Sequence, residues 1–455
     1  MYGPNPETGL SKWERRGLLL FALLIIGFGV LTEVRSVYLK RRMGDLGCYL
    51  RAAWAVRAGA DLYAVSDDNG WHYNYPPLLA ILAVPLADAP PGVDRAGLLP
   101  YAVSVGVWYA GCVLCLFIAV HMLAGAMEKT SPDAEVRFQP AGCRRWWALR
   151  LLPVLACLPP IGSDLVRGQV NVLLLAALCG LMACLVRGRP WRAGICLAGA
   201  ICLKVFPAFL LVYPLWRRDY RCLAGCALGL LVGLAVIPAA VFGPVRAWDH
   251  GRTFVTVTLA PGMGDHADES RSTELTGVTS TDTQAFLAVI HNTMYPNRET
   301  RPMWVAPWVR ATHWLLGGLL TGITLILAGR RGPVHSPDTV LALGGLVLLM
   351  ILLSPVCHMH YFLLALPMIM GLISFRWNRH GFTRLGVGLS LLLAINLVAN
   401  ILPRLPGLEL LRDLGVVTYA TLLLWLAAVL LLRQGRRAEA AKGLADPCQK
   451  PQMAA

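Results

Sequence analysis

The sequence predicts an all-helical protein that crosses a membrane several times, and three of its properties lead to that fold class. Hydrophobic residues make up 56% of the 455-residue chain and charged residues only 15%, whereas soluble globular proteins carry about 25% charged residues. Apolar stretches long enough to cross a hydrocarbon core of about 30 Å recur from residue 17 to residue 433. The lysines and arginines fall in short clusters between these stretches, as the positive-inside rule predicts.

The placement of the basic residues also excludes one function class. A formal net charge of +15 is typical of nucleic-acid-binding proteins, but those proteins gather their basic residues on one face or helix. Here the basic residues separate apolar segments, so we expect no nucleic-acid partner. The thirteen cysteines fall mostly inside the apolar segments, where they are expected to act as small packing residues.

The first apolar segment is predicted to be a retained membrane helix, because no small-residue cleavage site follows it. The basic residues before it place the N-terminus in the cytoplasm. The charge pattern then predicts about ten full spans, with both termini inside. The predicted spans are residues 17–33, 100–126, 147–162, 169–186, 222–242, 307–328, 339–354, 359–375, 385–402 and 415–433.

Residues 193–216 interrupt this alternation, because a complete crossing would leave the arginines that follow on the outer side. A re-entrant hairpin of two half-depth helices restores the alternation. Its break is predicted near Lys204 and Pro207, since proline removes a backbone donor and kinks a helix. Broken helices at membrane depth are tolerated where they line a cavity. A single kinked crossing is the alternative.

The spans predict one integral membrane domain, residues 1–433, followed by a short polar tail, residues 434–455, that is disordered in the cytoplasm. Two long loops, residues 34–99 and 243–306, fall on the outer side with several short returns. Most of the unusual polar residues therefore converge on the outer face, where we expect the active site.

The first outer loop contains a predicted helix over residues 45–58, in which apolar residues recur at three- and four-residue steps. This pattern is typical of an amphipathic helix at the membrane interface. Asp45 lies at or near the N-cap of this helix, and two interpretations remain open. The carboxylate either caps the helix or, kept ionised by the helix dipole, serves as a general base.

Two further features of this loop each have two interpretations. Arg42 belongs to a group of basic residues on the predicted outer side, which either face solvent and headgroups or bind a lipid phosphate. Tyr73 and Tyr75 belong to a Tyr-Asn-Tyr-Pro-Pro turn. The two tyrosines suit the aromatic belt of a membrane interface as well as they suit a substrate site.

Polar residues also lie at the ends of the later segments or within them. Arg167, Gln169 and Asn171 open one span at its outer end, where amides also join helices. Lys204 lies deep in an apolar segment, which indicates function unless the side chain reaches an interface. His358 and His360, in an outer return, are expected to bind substrate or pack the loop. No acidic residue is adjacent, so they predict no metal site.

In these motifs the chain resembles glycosyltransferase family 87, membrane mannosyltransferases of the GT-C fold that take a sugar from a polyprenyl phosphate. The resemblance covers roughly residues 17–375. It departs from the family at the Ser-Pro return, where Tyr361 replaces the second of two adjacent histidines. The matching motifs, in order, are Asp45 with Tyr49, Ala52 and Ala53; the turn from Tyr73 to Pro77; Gly168, Gln169 and Asn171; Lys204 and Pro207; and Ser354 and Pro355.

The resemblance implies an inverting transfer of a hexose, most often mannose, from a polyprenyl-phosphate-sugar donor to a lipid or glycan acceptor. The reaction would occur on the non-cytoplasmic face of the cell membrane, with Asp45 as catalytic base and without cofactor or metal. The residues implied to bind the donor phosphate or lipid are Lys204, Arg42, Arg167, Gln169 and Asn171. Those implied to bind substrate are Tyr49, Tyr73, Tyr75, His358 and His360.

Two other functions stay open at this stage. A transporter or lipid flippase also uses broken helices and intramembrane charges, although the C-terminal half contains no counterpart of residues 193–221. The same fold is also compatible with a pentofuranosyl donor.

Overall fold

The computed structural model describes residues 9–39, 43–131, 134–263, 274–275, 282–330, 336–380 and 386–445. Within these ranges the chain forms helices and no strand. One isolated bridge pairs Ser66 with His72 in the first long loop. The all-helical fold class predicted from the sequence is confirmed.

The helices that the structure describes in the N-terminal half vary in length from 4 to 29 residues. They are α1 (Lys12–Val34), α2 (Gly44–Ala58), α3 (Pro77–Leu82), α4 (Tyr101–Lys129), α5 (Ala134–Arg137), α6 (Arg144–Ala156), α7 (Leu158–Arg167), α8 (Asn171–Val186), α9 (Pro190–Leu203), α10 (Val212–Arg217), α11 (Tyr220–Leu231), α12 (Ile237–Phe242), α13 (Pro244–Phe254) and α14 (Ala260–Met263).

The C-terminal half contributes the helices that form the centre of the molecule and its last spans. They are α15 (Phe286–Met294), α16 (Pro307–Ala328), α17 (Ser336–Leu353), α18 (Leu366–His380), α19 (Gly386–Ile401), α20 (Glu409–Asp413) and α21 (Val416–Ala445).

Seven helical segments of the described chain are long and apolar enough to cross a membrane, so the protein is a multi-pass membrane protein. The bent pair α6 and α7 forms an eighth candidate, with an angle of 65° at its break. Pro153 lies inside α6 and two prolines open α7, which explains the bend. Three shorter apolar helices, α8, α9 and residues 338–353 of α17, coincide with other segments of the sequence analysis. The expected number of about ten spans stays a prediction.

The most buried candidate span is Met359–Arg376, with 89% of its apolar window inside the protein, against 11% for Lys12–Leu39. This span and α17 therefore form the centre of the bundle, and α1 packs at its periphery. The last helix continues to Ala445, because Ala, Arg and Glu in residues 434–445 favour helix. It includes the first part of the predicted tail; residues 446–455 lie outside the described chain.

The structure contains the predicted break at Lys204. Helix α9 ends at Leu203, and Lys204 is extended, with φ −156° and ψ 127°. A 3₁₀ turn, Phe206–Leu211, then leads into α10. The segment is therefore not a continuous helix, and its re-entry on the same membrane side stays a prediction.

Candidate active site

A cavity of about 640 Å³ lies where the first long loop, residues 34–99, meets the ends of the central helices. Its walls come from the start of α2, the turn before α3, the corner between α7 and α8, the break after α9 and the return before the most buried span. Nine of the fifteen residues of α2 are buried, so this helix packs into the protein on most of its surface. One wall of the cavity is therefore formed by a helix that packs against the rest of the protein.

Asp45 lies in the first turn of α2 and lines the cavity. Met43 occupies the N-cap position and no side chain caps this helix end, so the capping interpretation of Asp45 is wrong. The Asp45 side chain is 29% exposed, and its Oδ2 lies 3.9 Å from Nη1 of Arg167. Burial raises the pKa of Asp45, while the charges of Arg167 and Lys204 and a hydrogen bond with Gln169 act in the opposite direction.

The corner between α7 and α8 brings three of the predicted residues to the cavity region. Gly168 has φ +67° and ends α7, and a Cβ on it would lie 2.5 Å from Cβ of Leu46. Only glycine combines this left-handed conformation with so close an approach to α2. The motif Gly-Gln-x-Asn thus places Gln169 and Asn171 beside the helix that carries Asp45.

Two tyrosines of the predicted set line the cavity, and the third does not. The Tyr49 hydroxyl donates to Oε1 of Gln169 at 2.9 Å, and its ring meets that of Tyr75 edge to face at 5.1 Å. The Tyr73 hydroxyl instead donates to the Pro76 carbonyl at 2.7 Å and accepts from the Ala80 amide. Tyr73 is 1% exposed and holds the turn before α3, so the structure does not bring it to the cavity.

Lys204 lies at one end of a buried series of hydrogen-bonded side chains, of which the sequence predicted only two members, Lys204 and Asn171. Its Nζ donates to Oδ1 of Asn171 at 3.0 Å, and Nδ2 of Asn171 donates to Oδ1 of Asp164 at 2.9 Å. Lys204 lines the cavity, with Nζ 4.1 Å from the ring centroid of Tyr361. Asn171 is fully buried, so it positions Lys204 and does not itself reach the cavity.

Asp164 was missed by the sequence analysis. It is fully buried, and a carboxylate within an apolar segment was the signal that pointed to it. Through Asn171 it places a carboxyl group behind the Lys204 ammonium, which lowers the cost of burying that cation.

His358 and His360, at the return between α17 and the most buried span, both line the cavity, with ring centroids 5.5 Å apart. Burial, together with the charges of Arg167 and Lys204, lowers the pKa of His358 to about 3, so this ring is neutral near pH 7. His360 is 1% exposed, and its Nε2 has no hydrogen-bond partner among the described residues. The described chain holds no group of three His, Cys, Asp or Glu side chains with the spacing of a metal site.

The remaining predicted residues are placed as follows. Arg167 lines the cavity, with a side chain that is 56% exposed. Arg42 lies outside the described residues. Two further groups of residues that were not predicted from the sequence also line the cavity. One group is His72, Asn74 and Glu274, and the other is Arg310, His313 and Trp314. Glu274 comes from the second long loop, residues 243–306, and no local sequence pattern relates it to the first long loop.

Known proteins resemble the chain over most of its length. The sequence model of glycosyltransferase family 87 matches residues 73–355, a range that contains Lys204 but begins after Asp45 and ends before His358 and His360. A polyprenol-phosphate-mannose-dependent alpha-(1-2)-phosphatidylinositol mannoside mannosyltransferase of Mycobacterium tuberculosis is 29% identical over 384 residues, covering 82% of this chain and 80% of that protein. The protein of the same description from Mycolicibacterium smegmatis is 27% identical over 360 residues, covering 76% and 74%.

The chain also aligns with solved structures, one of which is that of ArnT. The crystal structure of ArnT from Cupriavidus metallidurans, bound to undecaprenyl phosphate, aligns with a TM-score of 0.40 and 16% identity, covering 95% of this chain and 81% of ArnT.

Proposed function

Because the chain belongs to glycosyltransferase family 87, we propose that it transfers mannose from polyprenyl-phosphate-mannose to a hydroxyl group of a phosphatidylinositol mannoside. The donor and the acceptor follow the descriptions of the mycobacterial relatives. The observation that carries the proposal is the position of Asp45, a carboxylate in a cavity beside Arg167 and near a buried lysine.

Asp45 is the proposed general base. A base must accept the proton of the acceptor hydroxyl as its oxygen attacks the anomeric carbon, and a carboxylate with a raised pKa binds that proton more strongly than an exposed one. Burial raises the pKa of Asp45, which supports this role. Tyr49 and Gln169, which are hydrogen-bonded to each other, line the cavity beside Asp45.

Arg167 and Lys204 are the proposed binding groups for the donor phosphate. As the bond between the anomeric carbon and the phosphate oxygen breaks, negative charge develops on the leaving phosphate. Two cations that line the same cavity stabilise this charge as it forms. Asn171 and Asp164 hold Lys204 in place, and Arg42, outside the described residues, stays a proposed contributor from the adjacent loop.

Neutral groups complete the proposed substrate contacts. His358 is neutral near pH 7 because burial lowers its pKa to about 3, and Tyr75 and His360 line the same cavity. These rings offer hydrogen bonds and flat apolar faces to the sugar and to the start of the polyprenyl chain. Tyr73 contributes through the turn that holds Tyr75.

We also propose the membrane arrangement that the charge pattern favours. The cavity opens on the non-cytoplasmic face of the cell membrane, in one GT-C-type membrane domain of about ten spans with a re-entrant hairpin around Lys204. The clusters of lysine and arginine between the spans support this arrangement.

Reconstitution tests the reaction. Proteoliposomes with wild-type protein, radiolabelled polyprenyl-phosphate-mannose, phosphatidylinositol mannoside and EDTA are expected to yield labelled acceptor. Asp45→Asn removes the base and should lower kcat about 10²- to 10⁴-fold. Asp94→Asn makes the same change at an exposed position of the same loop and should retain activity. Equal rates for the two variants would exclude Asp45 as the base, and a wild-type protein that moves lipid without forming a glycosidic bond would favour a flippase.

A further inference from the structure

One wall of the cavity contains neither the proposed base nor the proposed phosphate-binding groups. His72, Asn74 and Glu274 all line it. Glu274 Oε1 accepts hydrogen bonds from the His72 amide at 2.9 Å and from Nδ2 of Asn74 at 3.2 Å. Its Oε2 lies 3.1 Å from Nδ1 of His72. These contacts join the two outer loops and hold a carboxylate, an imidazole and an amide in fixed positions.

This wall is adjacent to Asp45. Cys48 follows Asp45 by three residues on the same face of α2 and also lines the cavity. Its Sγ lies 3.6 Å from the carbonyl oxygen of Trp71, the residue before His72. Burial raises the pKa of Cys48, and the charges of Asp67, Asp45 and Glu274 act in the same direction. A ligand on this wall therefore lies beside the proposed base.

The hydrogen-bonding groups of the wall fit a neutral, hydroxyl-rich ligand. Asn74 Oδ1 is buried and has no hydrogen-bond partner among the described residues, although a buried carbonyl oxygen normally has one. The Asn74 Oδ1 atom can therefore accept a hydrogen bond from a ligand, and the Glu274 carboxylate beside it is also a hydrogen-bond acceptor. Sugar hydroxyls donate to such groups. A phosphate would face the Glu274 carboxylate here, whereas Arg167 and Lys204 offer it two cations elsewhere in the cavity.

We propose that His72, Asn74 and Glu274 bind the neutral sugar ring of the acceptor and present its reacting hydroxyl to Asp45. The inference rests on the proposed function, because it assumes a donor phosphate at Arg167 and Lys204 and a sugar acceptor at the wall that carries Asn74 and Glu274. It assigns the acceptor to the surface at which the two outer loops meet.

Steady-state kinetics of Glu274→Gln and Asn74→Leu in the same proteoliposomes test the assignment. Loss of a hydrogen bond to a charged group should raise the KM for phosphatidylinositol mannoside about tenfold or more in Glu274→Gln. Asn74→Leu, which keeps the number and branching of the side-chain heavy atoms, should raise it about fivefold. The KM for polyprenyl-phosphate-mannose should stay unchanged in both. Glu299→Gln, at an exposed position of the second outer loop, is the matched control, and thermal unfolding of each purified variant reports on its fold.

Three results would overturn the assignment. An unchanged acceptor KM in folded Glu274→Gln and Asn74→Leu would exclude the wall as the acceptor site. A raised donor KM, with unchanged inhibition by free polyprenyl phosphate, would assign the wall to the transferred mannose. If the wild-type protein transfers no mannose, the proposed function fails and this inference fails with it; if the wild type transfers and only the variants behave otherwise, the inference fails alone.

Discussion

The ionisation of Asp45 is set by two opposing influences, and this opposition predicts a pH dependence. Burial raises the pKa of Asp45 and the nearby Arg167 charge lowers it. Because a base works only when ionised, activity falls as the pH drops through this pKa. The acid limb of kcat/KM should therefore lie above the range of an exposed aspartate, whose pKa is about 3.9.

Removal of the Arg167 charge should move this limb. Arg167→Gln takes away a charge that lowers the pKa of Asp45, so the acid limb should shift to higher pH, by a modest amount because the Arg167 side chain is 56% exposed and screened. The pH profile of kcat/KM measures the shift. Arg57→Gln, at the far end of α2 and exposed, should leave the limb in place. An unmoved limb in Arg167→Gln would show that a group other than Asp45 controls it.

The buried chain behind Lys204 predicts a selective loss of donor binding. Asn171→Leu leaves the Lys204 ammonium without its amide partner, and a lost hydrogen bond to a charged group is worth about 1.5–3 kcal/mol. The KM for the donor should rise about 10- to 100-fold, with the KM for the acceptor unchanged.

A second buried amide controls for the loss of stability in this experiment. Asn396 donates to the Ala156 carbonyl and does not line the cavity, so Asn396→Leu should lower stability without changing the donor KM. Equal donor KM values for the two variants would mean that Asn171 supports only the fold. Asp164→Asn tests the far end of the hydrogen-bonded series from Lys204 through Asn171, because it keeps the side-chain shape and removes the carboxyl group.

At the scale of elements, the position of Lys204 depends on how closely α9 packs against α11. A Cβ on Gly194 would lie 2.0 Å from the Cys222 carbonyl oxygen, and one on Gly225 would lie 2.3 Å from the Trp191 carbonyl oxygen. Such approaches between backbones require glycine, as is common where membrane helices pack. The sequence predicts the break at Lys204 but not this contact, since glycines in a membrane segment do not reveal which helix they face.

Two glycine substitutions in the same helix separate packing from helix propensity. Gly194→Ala forces α9 away from α11 and should cost about 1–3 kcal/mol of stability. Gly199→Ala, where a Cβ meets nothing within 4 Å, should be neutral or stabilising because alanine favours helix. Thermal unfolding in detergent compares the two. If both variants lost stability equally, the close contact between α9 and α11 would not be the cause.

At the scale of the molecule, the sequence predicted the residues whose charge distinguishes them from their apolar neighbours in the chain. Asp45 and Lys204 stand out as charges at or inside apolar segments, and both line the cavity. Glu274 escaped notice because its role depends on contact with residues about 200 positions earlier in the chain. Tyr73 was assigned to substrate because an aromatic pattern does not reveal the partner of a hydroxyl group, which here is the Pro76 carbonyl. Tertiary contacts between distant loops are thus the part of the site that local patterns do not encode.

The membrane orientation is the property of the whole molecule on which the proposed reaction depends, and cysteine labelling tests it. The cysteines that the structure describes are buried or half-buried, and Cys448 lies outside the described residues, so a Cys448→Ser protein should show low labelling by a membrane-impermeant maleimide and serves as background. Asp94→Cys and Glu299→Cys, exposed in the two long loops, should be labelled in intact cells. Lys129→Cys, exposed at the opposite end of α4, should be labelled only after permeabilisation. The reverse pattern would place the cavity on the cytoplasmic face, where the charge clusters would contradict the positive-inside rule.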